Sequence, residues 1–279
     1  MKKRPFIQLI CAVLYNCNVT GFAKGSIYKG NIKGLCVPGL NCYSCPGAVY
    51  ACPLGSLQSA LLSSKYKLPY YIIGVLLLFG LILGRIICGF LCPFGFLQEL
   101  LYKIPTKKLK KSRWTKALSY LKYVILAVFV IIIPLTLAYP GFCKYICPAG
   151  TIEGGIPLTI MNEKLRELIG WLFSWKVILA IAILTASVFI FRFFCRFICP
   201  LGAFYGFFHN VSLFGISLDE SKCTHCQKCV THCKMDIKSV GDAECIQCGE
   251  CMDVCGVKAI SFGYKSGRLS FKLRDNEIN

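Results

Sequence analysis

Eight thiols near the C-terminal end of this chain stand in two runs of the same spacing: Cys223, Cys226, Cys229, Cys233 and Cys245, Cys248, Cys251, Cys255, each C-x2-C-x2-C-x3-C. Thiolates so spaced suit two [4Fe-4S] clusters, because three from one run take three irons of a cubane and the fourth crosses to the other cluster. The expected sets are Cys223, Cys226, Cys229 and Cys255 for one centre, and Cys245, Cys248, Cys251 and Cys233 for the other. Structural zinc uses separated C-x2-C pairs rather than an unbroken run. Disulfides, the other use of abundant cysteine, give no reason for a duplicated spacing. The residue after the fourth cysteine is usually proline in such runs, and here it is Lys234 and Gly256. Proline orients the turn and binds no iron, so its replacement bears on local backbone and potential rather than on binding.

A second cysteine code recurs upstream. Cys88 to Pro93, Cys143 to Pro148 and Cys195 to Pro200 are three copies of C-x3-C-P-x-G, and a degenerate fourth ends at Cys52-Pro53-Leu54-Gly55 with Ala48 where the first cysteine would stand. Cysteines four apart on a helix share a face, and the proline behind them interrupts the backbone ladder, so each motif is expected to offer two thiolates in one direction. Two thiolates make half a cubane, and two motifs must therefore meet. Cys88, Cys92, Cys195 and Cys199 end segments that run the same way and are expected to hold a third cluster on the cytoplasmic side. Arg85 and Arg192 each precede the first cysteine by three residues; their charge either offsets an anionic cluster or snorkels from a helix end. Cys36, Cys42, Cys45, Cys52, Cys143 and Cys147 fall on the outer side. Symmetry pairs Cys143 and Cys147 with Cys52 and one upstream cysteine in a fourth cluster. Alternatively Cys36, Cys42, Cys45 and Cys52 form a site alone, leaving the other pair for a further centre or a disulfide. Spacing leaves both open. Cys11 and Cys17 read as structural thiols packed like small hydrophobes, with Cys17 as the sharper candidate for a further centre.

The elements that must position these thiols are apolar: 56% of the 279 residues are hydrophobic. A bilayer core of about 30 Å takes roughly 20 apolar residues in a helix, and the segments Leu68 to Ile87, Leu118 to Tyr139 and Val177 to Phe194 meet that length. Trp171 and Trp175 precede the last as an interfacial anchor would, and Pro134 is expected to kink the second without ending it. Lys2, Lys3 and Arg4 lead a shorter apolar run to about Tyr15 that reads as an uncleaved first helix, since no A-x-A site follows. The fold class expected is an α-helical integral membrane protein of about four transmembrane helices, with a C-terminal α+β two-cluster ferredoxin-like domain. Its divisions are 1–214 for the membrane part, 215–265 for the ferredoxin-like part and 266–279 for a tail. Lys103, Lys107, Lys108, Lys110, Lys111, Arg113 and Lys116 crowd one loop without an acidic residue, which assigns that loop, both termini and the ferredoxin-like part to the cytoplasmic face of a bacterial or archaeal inner membrane. The stretch Asn162 to Gly170 reads as an amphipathic helix lying in the interface.

The formal charge of +19 counts every thiol as neutral. A cluster with four thiolates carries about −2, so four of them lower the balance to about +11. No nucleic-acid recognition module accompanies the basic residues. No C-x2-C-H haem attachment, G-x-G-x-x-G or Walker loop occurs, and no flavin motif is visible. His209, His225 and His232 are the only histidines. The last two fall in the first ferredoxin-type run, where exposure or a hydrogen bond to cluster sulfur accounts for them given complete thiolate sets.

The repeated C-x3-C-P motifs, the segment from Gly39-Leu40-Asn41-Cys42-Tyr43-Ser44-Cys45-Pro46 to Cys52-Pro53-Leu54-Gly55-Ser56-Leu57-Gln58, and the double run together resemble the NapH/NosR-like membrane polyferredoxins, over roughly residues 22–262. The resemblance implies an electron carrier of the inner membrane that links quinol or cytosolic donors to a partner redox protein. The chain lacks the large flavin-binding domain of NosR-type proteins and carries more cysteine motifs than the NapH type. Electron transfer between a cytoplasmic partner and a membrane or extracytoplasmic one is the leading expectation, with a role in maturation or redox sensing as the rival. A bilayer is a long gap for an electron unless the motif loops dip inward.

Overall fold

The apolar segments become helices, and three of them end shortly before a cysteine motif. The structure is a computed structural model that describes residues 3–63, 69–109, 111–167 and 169–265. The longer helices are α1 (Arg4–Tyr15), α2 (Pro53–Ser63), α3 (Tyr70–Ile82), α4 (Pro93–Tyr102), α5 (Trp114–Leu137), α6 (Trp171–Phe189) and α7 (Pro200–Phe207). Among the described residues α5 and α6 have the length and hydropathy to cross a bilayer, and only 22% and 17% of their most apolar windows are buried within the protein. The two other expected spans are shorter, α1 with 12 residues and α3 with 13, about 18–20 Å at 1.5 Å per residue. The start of the second at Leu68 and the tail 266–279 lie outside the described residues.

The end of α3 has a backbone cause that α5 and α6 share. Gly84 after α3, Ala138 after α5 and Arg192 after α6 all take left-handed conformations, with φ of 51°, 52° and 51°. Each interrupts the helix shortly before a cysteine motif. The first cysteine of each motif then lies in a short helical turn: Cys88 in Ile87–Leu91, Cys143 in Gly141–Tyr145 and Cys195 in Phe193–Phe197. The second cysteine stands outside that turn. Cys92 and Cys199 are N-cap residues of α4 and α7, with Pro93 and Pro200 in the first turn, where a missing N–H costs nothing. The expectation of two cysteines on one helical face is thereby corrected: the pair straddles two helices. Pro134 does not end α5, and the ladder before it widens to a π-helix over Leu126–Ile132, which accommodates the absent donor.

The C-terminal part begins with β1 (Phe214–Leu218), which pairs antiparallel with β2 (Ile260–Tyr264) from Phe214 opposite Tyr264 to Leu218 opposite Ile260. Both cysteine runs lie between the strands. Within each run the residues two and four places after the first cysteine are left-handed, His225 and Gln227 in one, Gln247 and Gly249 in the other. The two runs thus follow the same path around their thiols.

Ion pairs fasten this part to the helices. Glu244 accepts from Lys122 of α5 and lies 3.5 Å from Arg85. Asp236 pairs with Arg196, and Glu250 lies 3.8 Å from Arg4. On the helical side, Glu99 of α4 joins Arg4 at 2.7 Å and Arg192 at 2.7 Å. Lys122 and Arg192 are fully buried and Arg85 nearly so. A buried pair contributes little over an apolar one, but loss of one partner strands a charge and costs about 3–5 kcal/mol. Glu244→Ala is therefore expected to destabilise the protein on that scale by stranding Lys122 and weakening the hold on Arg85; a wild-type unfolding temperature for E244A in detergent would refute this.

Candidate iron–sulfur centres

Four groups of four thiols come together. Cys223, Cys226, Cys229 and Cys255 line one pocket with Leu218 and Ile260 of the sheet behind them. Cys233, Cys245, Cys248 and Cys251 lie within electrostatic reach of one another. In each set the fourth cysteine of one run stands with the first three of the other. Backbone N–H groups face the sulfurs: His225 N donates to Cys223 Sγ at 3.4 Å, and Lys228, Gln247 and Glu250 donate to Cys226, Cys245 and Cys248. The left-handed residues noted above supply this geometry by curling the backbone around the sulfurs. His225 and His232 are exposed, and only the backbone of His225 touches a sulfur.

The group expected on the inner side is Cys88, Cys92, Cys195 and Cys199, whose thiols interact mutually in the core. The outer group is Cys42, Cys52, Cys143 and Cys147, which face one cavity of about 500 Å³ with Gly55, Gly150 and Lys176 in its wall. Of the two arrangements that spacing left open, the first is the one the chain adopts in space, with Cys42 as the upstream member. Cys42 takes the position that the missing cysteine at Ala48 leaves vacant. The loop that delivers it is closed by Lys33 donating to Ala48 O and by the pairing of Cys36 with Ala51. Cys36 and Cys45 do not line the cavity: Cys36 bonds the Ser56 side chain, and Cys45 accepts from the Gly47 and Ala48 backbone. Cys11 bonds Tyr15 and Cys17 is exposed.

The glycine of C-P-x-G has a use at each site. Gly202 N donates to Cys199 Sγ and Gly150 N to Cys147 Sγ, both at 3.4 Å, while Gly55 and Gly95 donate to Cys52 and Cys92. The second cysteine therefore caps the helix after it, where orphan N–H groups and the helix dipole favour a thiolate. A Cβ on Gly55 would stand 3.9 Å from Cys143 Sγ, and one on Gly95 would meet the Arg192 guanidinium at 3.1 Å.

The charges around the thiols follow from burial. Burial pushes the Cys143 thiol up to about 12, with Cys52 and Cys42 beside it adding to the rise, and it raises Cys42 and Cys147 in the same way. Such a group keeps its protons until a cation displaces them. Cys226, exposed, is lowered by its backbone N–H donor from Lys228. Arg192 and Arg85 both interact with Cys88 of the inner group, Arg192 also with Cys195 and Cys92, and Arg85 also with Cys245 of the ferredoxin-type part. Of the two readings of these arginines, burial rules out snorkelling. The cavity of about 500 Å³ lined by Cys42, Cys52, Cys143 and Cys147 has room for a body larger than a single ion.

Three features were not read from the sequence. Leu40 N donates to Cys92 and the next residue, Asn41, to Cys52, so one peptide step joins the inner and outer groups. Fully buried Tyr205 lies within electrostatic reach of Cys88, Cys92 and Cys52, and its hydroxyl donates to Pro38 O at 3.0 Å. The sixth residue after each C-P cysteine, Gln58, Gln98, Glu153 or Tyr205, reaches across to the opposite half of the structure. The shared offset is the signal that could have found them.

A family model described as a 4Fe-4S binding domain matches residues 68–112, 122–156 and 171–217, one match for each complete C-x3-C-P motif. The uncharacterized protein MJ0749 of Methanocaldococcus jannaschii is 35% identical over 68% of this chain and 68% of its own length. The protein YccM of Escherichia coli is 27% identical over 80% and 61%, and the ferredoxin-type protein NapH of Escherichia coli 26% over 78% and 75%. No solved structure matches. Three cysteine-bearing domains on a mostly helical frame, a ferredoxin-type double run and these relatives lead to one conclusion: the chain belongs to the NapH/NosR-like family of membrane-associated 4Fe-4S polyferredoxins.

Proposed function

We propose that the protein carries single electrons through four [4Fe-4S] centres between a cytoplasmic redox partner and a partner at the membrane or beyond it. The centres would be held by Cys223, Cys226, Cys229 and Cys255; by Cys233, Cys245, Cys248 and Cys251; by Cys88, Cys92, Cys195 and Cys199; and by Cys42, Cys52, Cys143 and Cys147. When bound, such clusters supply one-electron chemistry. The chain's own contribution is to hold them in sequence and to keep the steps short.

The observation that carries this reading is the single peptide step between Cys92 and Cys52 at Leu40 and Asn41. It removes the objection that inner and outer thiols stand a bilayer apart. Helix α6 gives the scale: Lys176 donates to Cys143 O at the outer group, and Ser187 reaches Gln98 at the inner one. Eleven residues at 1.5 Å each are about 16 Å, roughly half the apolar thickness of a bilayer. On the other side, a Cβ on Gly89 would stand 2.3 Å from Ile246 O, so the turn holding Cys88 abuts the run holding Cys245. The exposure of Cys226 supports the first centre as the one that meets a soluble partner.

The membrane reading rests on α5 and α6 and on the apolar side chains they leave exposed, Val124, Ile131, Ile132, Leu135, Ile178 and Ile181. Trp171, 84% exposed at the start of α6, suits the headgroup layer. Residues 1–214 are read as the membrane unit and 215–265 as the cytoplasmic one, with the basic loop at 103–116 on the same face.

Two outcomes are expected. Anaerobically purified protein should contain about sixteen irons; Cys42→Ala and Cys147→Ala should each lose about four, whereas Cys36→Ala and Cys45→Ala keep all. A count near eight, or an iron loss in C36A equal to that in C42A, defeats the assignment. In fractionated cells the protein should stay with the membranes through an alkaline carbonate wash, and its release into the supernatant would contradict the reading of α5 and α6.

A further inference from the structure

Two glutamines occupy equivalent places at the two buried centres. Gln58 stands six residues after Cys52, and Gln98 six after Cys92. Each Nε2 donates to the carbonyl four residues back, Leu54 O and Phe94 O, both at 3.3 Å. Each also donates to the first cysteine of the opposite motif, Gln58 to Cys143 Sγ at 3.3 Å and Gln98 to Cys195 Sγ at 3.0 Å. Each Oε1 accepts from the backbone N–H just before that cysteine, Phe142 at 3.1 Å and Phe194 at 2.9 Å. Both side chains are fully buried.

These bonds fix which end of the amide meets the sulfur. A backbone N–H can only donate, so it takes the amide oxygen, and the NH₂ is left for the thiolate. The other two motifs lack this arrangement. Glu153 has no donor to offer when ionised and instead accepts from Cys42 N at 2.8 Å, while Tyr205 donates to Pro38 O. Each buried centre therefore has one side-chain N–H aimed at one of its four sulfurs, always at the first cysteine of a C-terminal motif. An N–H donor withdraws charge from a cluster thiolate and stabilises the form carrying one more electron, most strongly where the surroundings are apolar.

We infer that Gln58 and Gln98 are matched potential-setting residues, each raising the reduction potential of one buried centre so that both accept electrons from the ferredoxin-type pair. The inference rests on the four-centre reading above and adds a direction of bias to it. In the Glu variants the acceptor oxygen that holds the loop is kept, while the donor to sulfur is replaced by a carboxylate oxygen. In the Leu variants both bonds are lost.

The test is a redox titration of the whole protein, followed by electron paramagnetic resonance, with iron quantified in the same samples. Gln98→Glu is expected to lower the potential of one centre, making its reduction about tenfold less favourable, or about 59 mV for one electron. Gln58→Glu should lower a different centre, and Gln98→Leu and Gln58→Leu the same two in turn, all with wild-type iron. Unchanged potentials at full iron content would overturn the inference. So would loss of about four irons from both substitutions at a site, since that shows a role in holding the cluster alone. Cys195→Ala and Cys143→Ala serve as the control for the underlying reading: if they retain all iron, the ligand assignment fails, and if they lose about four irons each while the glutamine variants shift nothing, only the tuning fails.

Discussion

Thiols in an apolar interior, which would become anionic only on binding a cluster, are the condition to which the rest of the fold responds. A buried charge without partners costs several kcal/mol, and this chain concentrates thiols where helices pack. The response has three parts. Helix N-termini present their orphan N–H groups to Cys92, Cys147 and Cys199 through the glycine of C-P-x-G. Loop N–H groups do the same at Cys52 through Asn41, and side-chain amides at Cys143 and Cys195. Fixed cations complete the set, Arg85 and Arg192 near the inner group and Lys176 near the outer one. The acidic residues that pair with these arginines, Glu99 and Glu244, then become the fasteners of the ferredoxin-type part. Docking and charge compensation are thus one network.

The division of labour among the motifs follows from the same condition. A complete motif supplies a thiol from within one helical turn and another from the start of the next helix, shortly after a left-handed residue has interrupted the preceding helix. The geometry needs a break between the long helix and the motif, which is why hydrophobic runs that look continuous are interrupted. Arg192 accepts the strained conformation itself, a cost of order 1–3 kcal/mol, and its guanidinium is thereby brought to Glu99 and the Cys88 carbonyl.

What the sequence revealed and what it hid divide along the range of the interactions. The two crossover sets in the C-terminal part are legible because their spacing is local and duplicated. The inner group is legible because two complete motifs carry it. The outer group was not, since the fourth thiol lining its cavity, Cys42, lies ten residues before Cys52 rather than four, and a closed loop held by Lys33 and the Cys36–Ala51 bridge brings it in. Hydropathy registered an apolar stretch through Ile87 but not the left-handed turn at Gly84 that cuts it short. Residues acting through a partner far away in the chain, Gln58, Gln98 and Tyr205, leave no mark on composition; only their common offset from a cysteine betrays them.

The peptide step at Leu40 and Asn41 has a consequence for how such chains can vary in length. The consecutive N–H groups of Leu40 and Asn41 serve Cys92 and Cys52 at once. Insertion or deletion of one residue between Gly39 and Cys42 would move the two donors relative to their sulfurs and displace Cys42 as well. The segment therefore has no tolerance for a change of length.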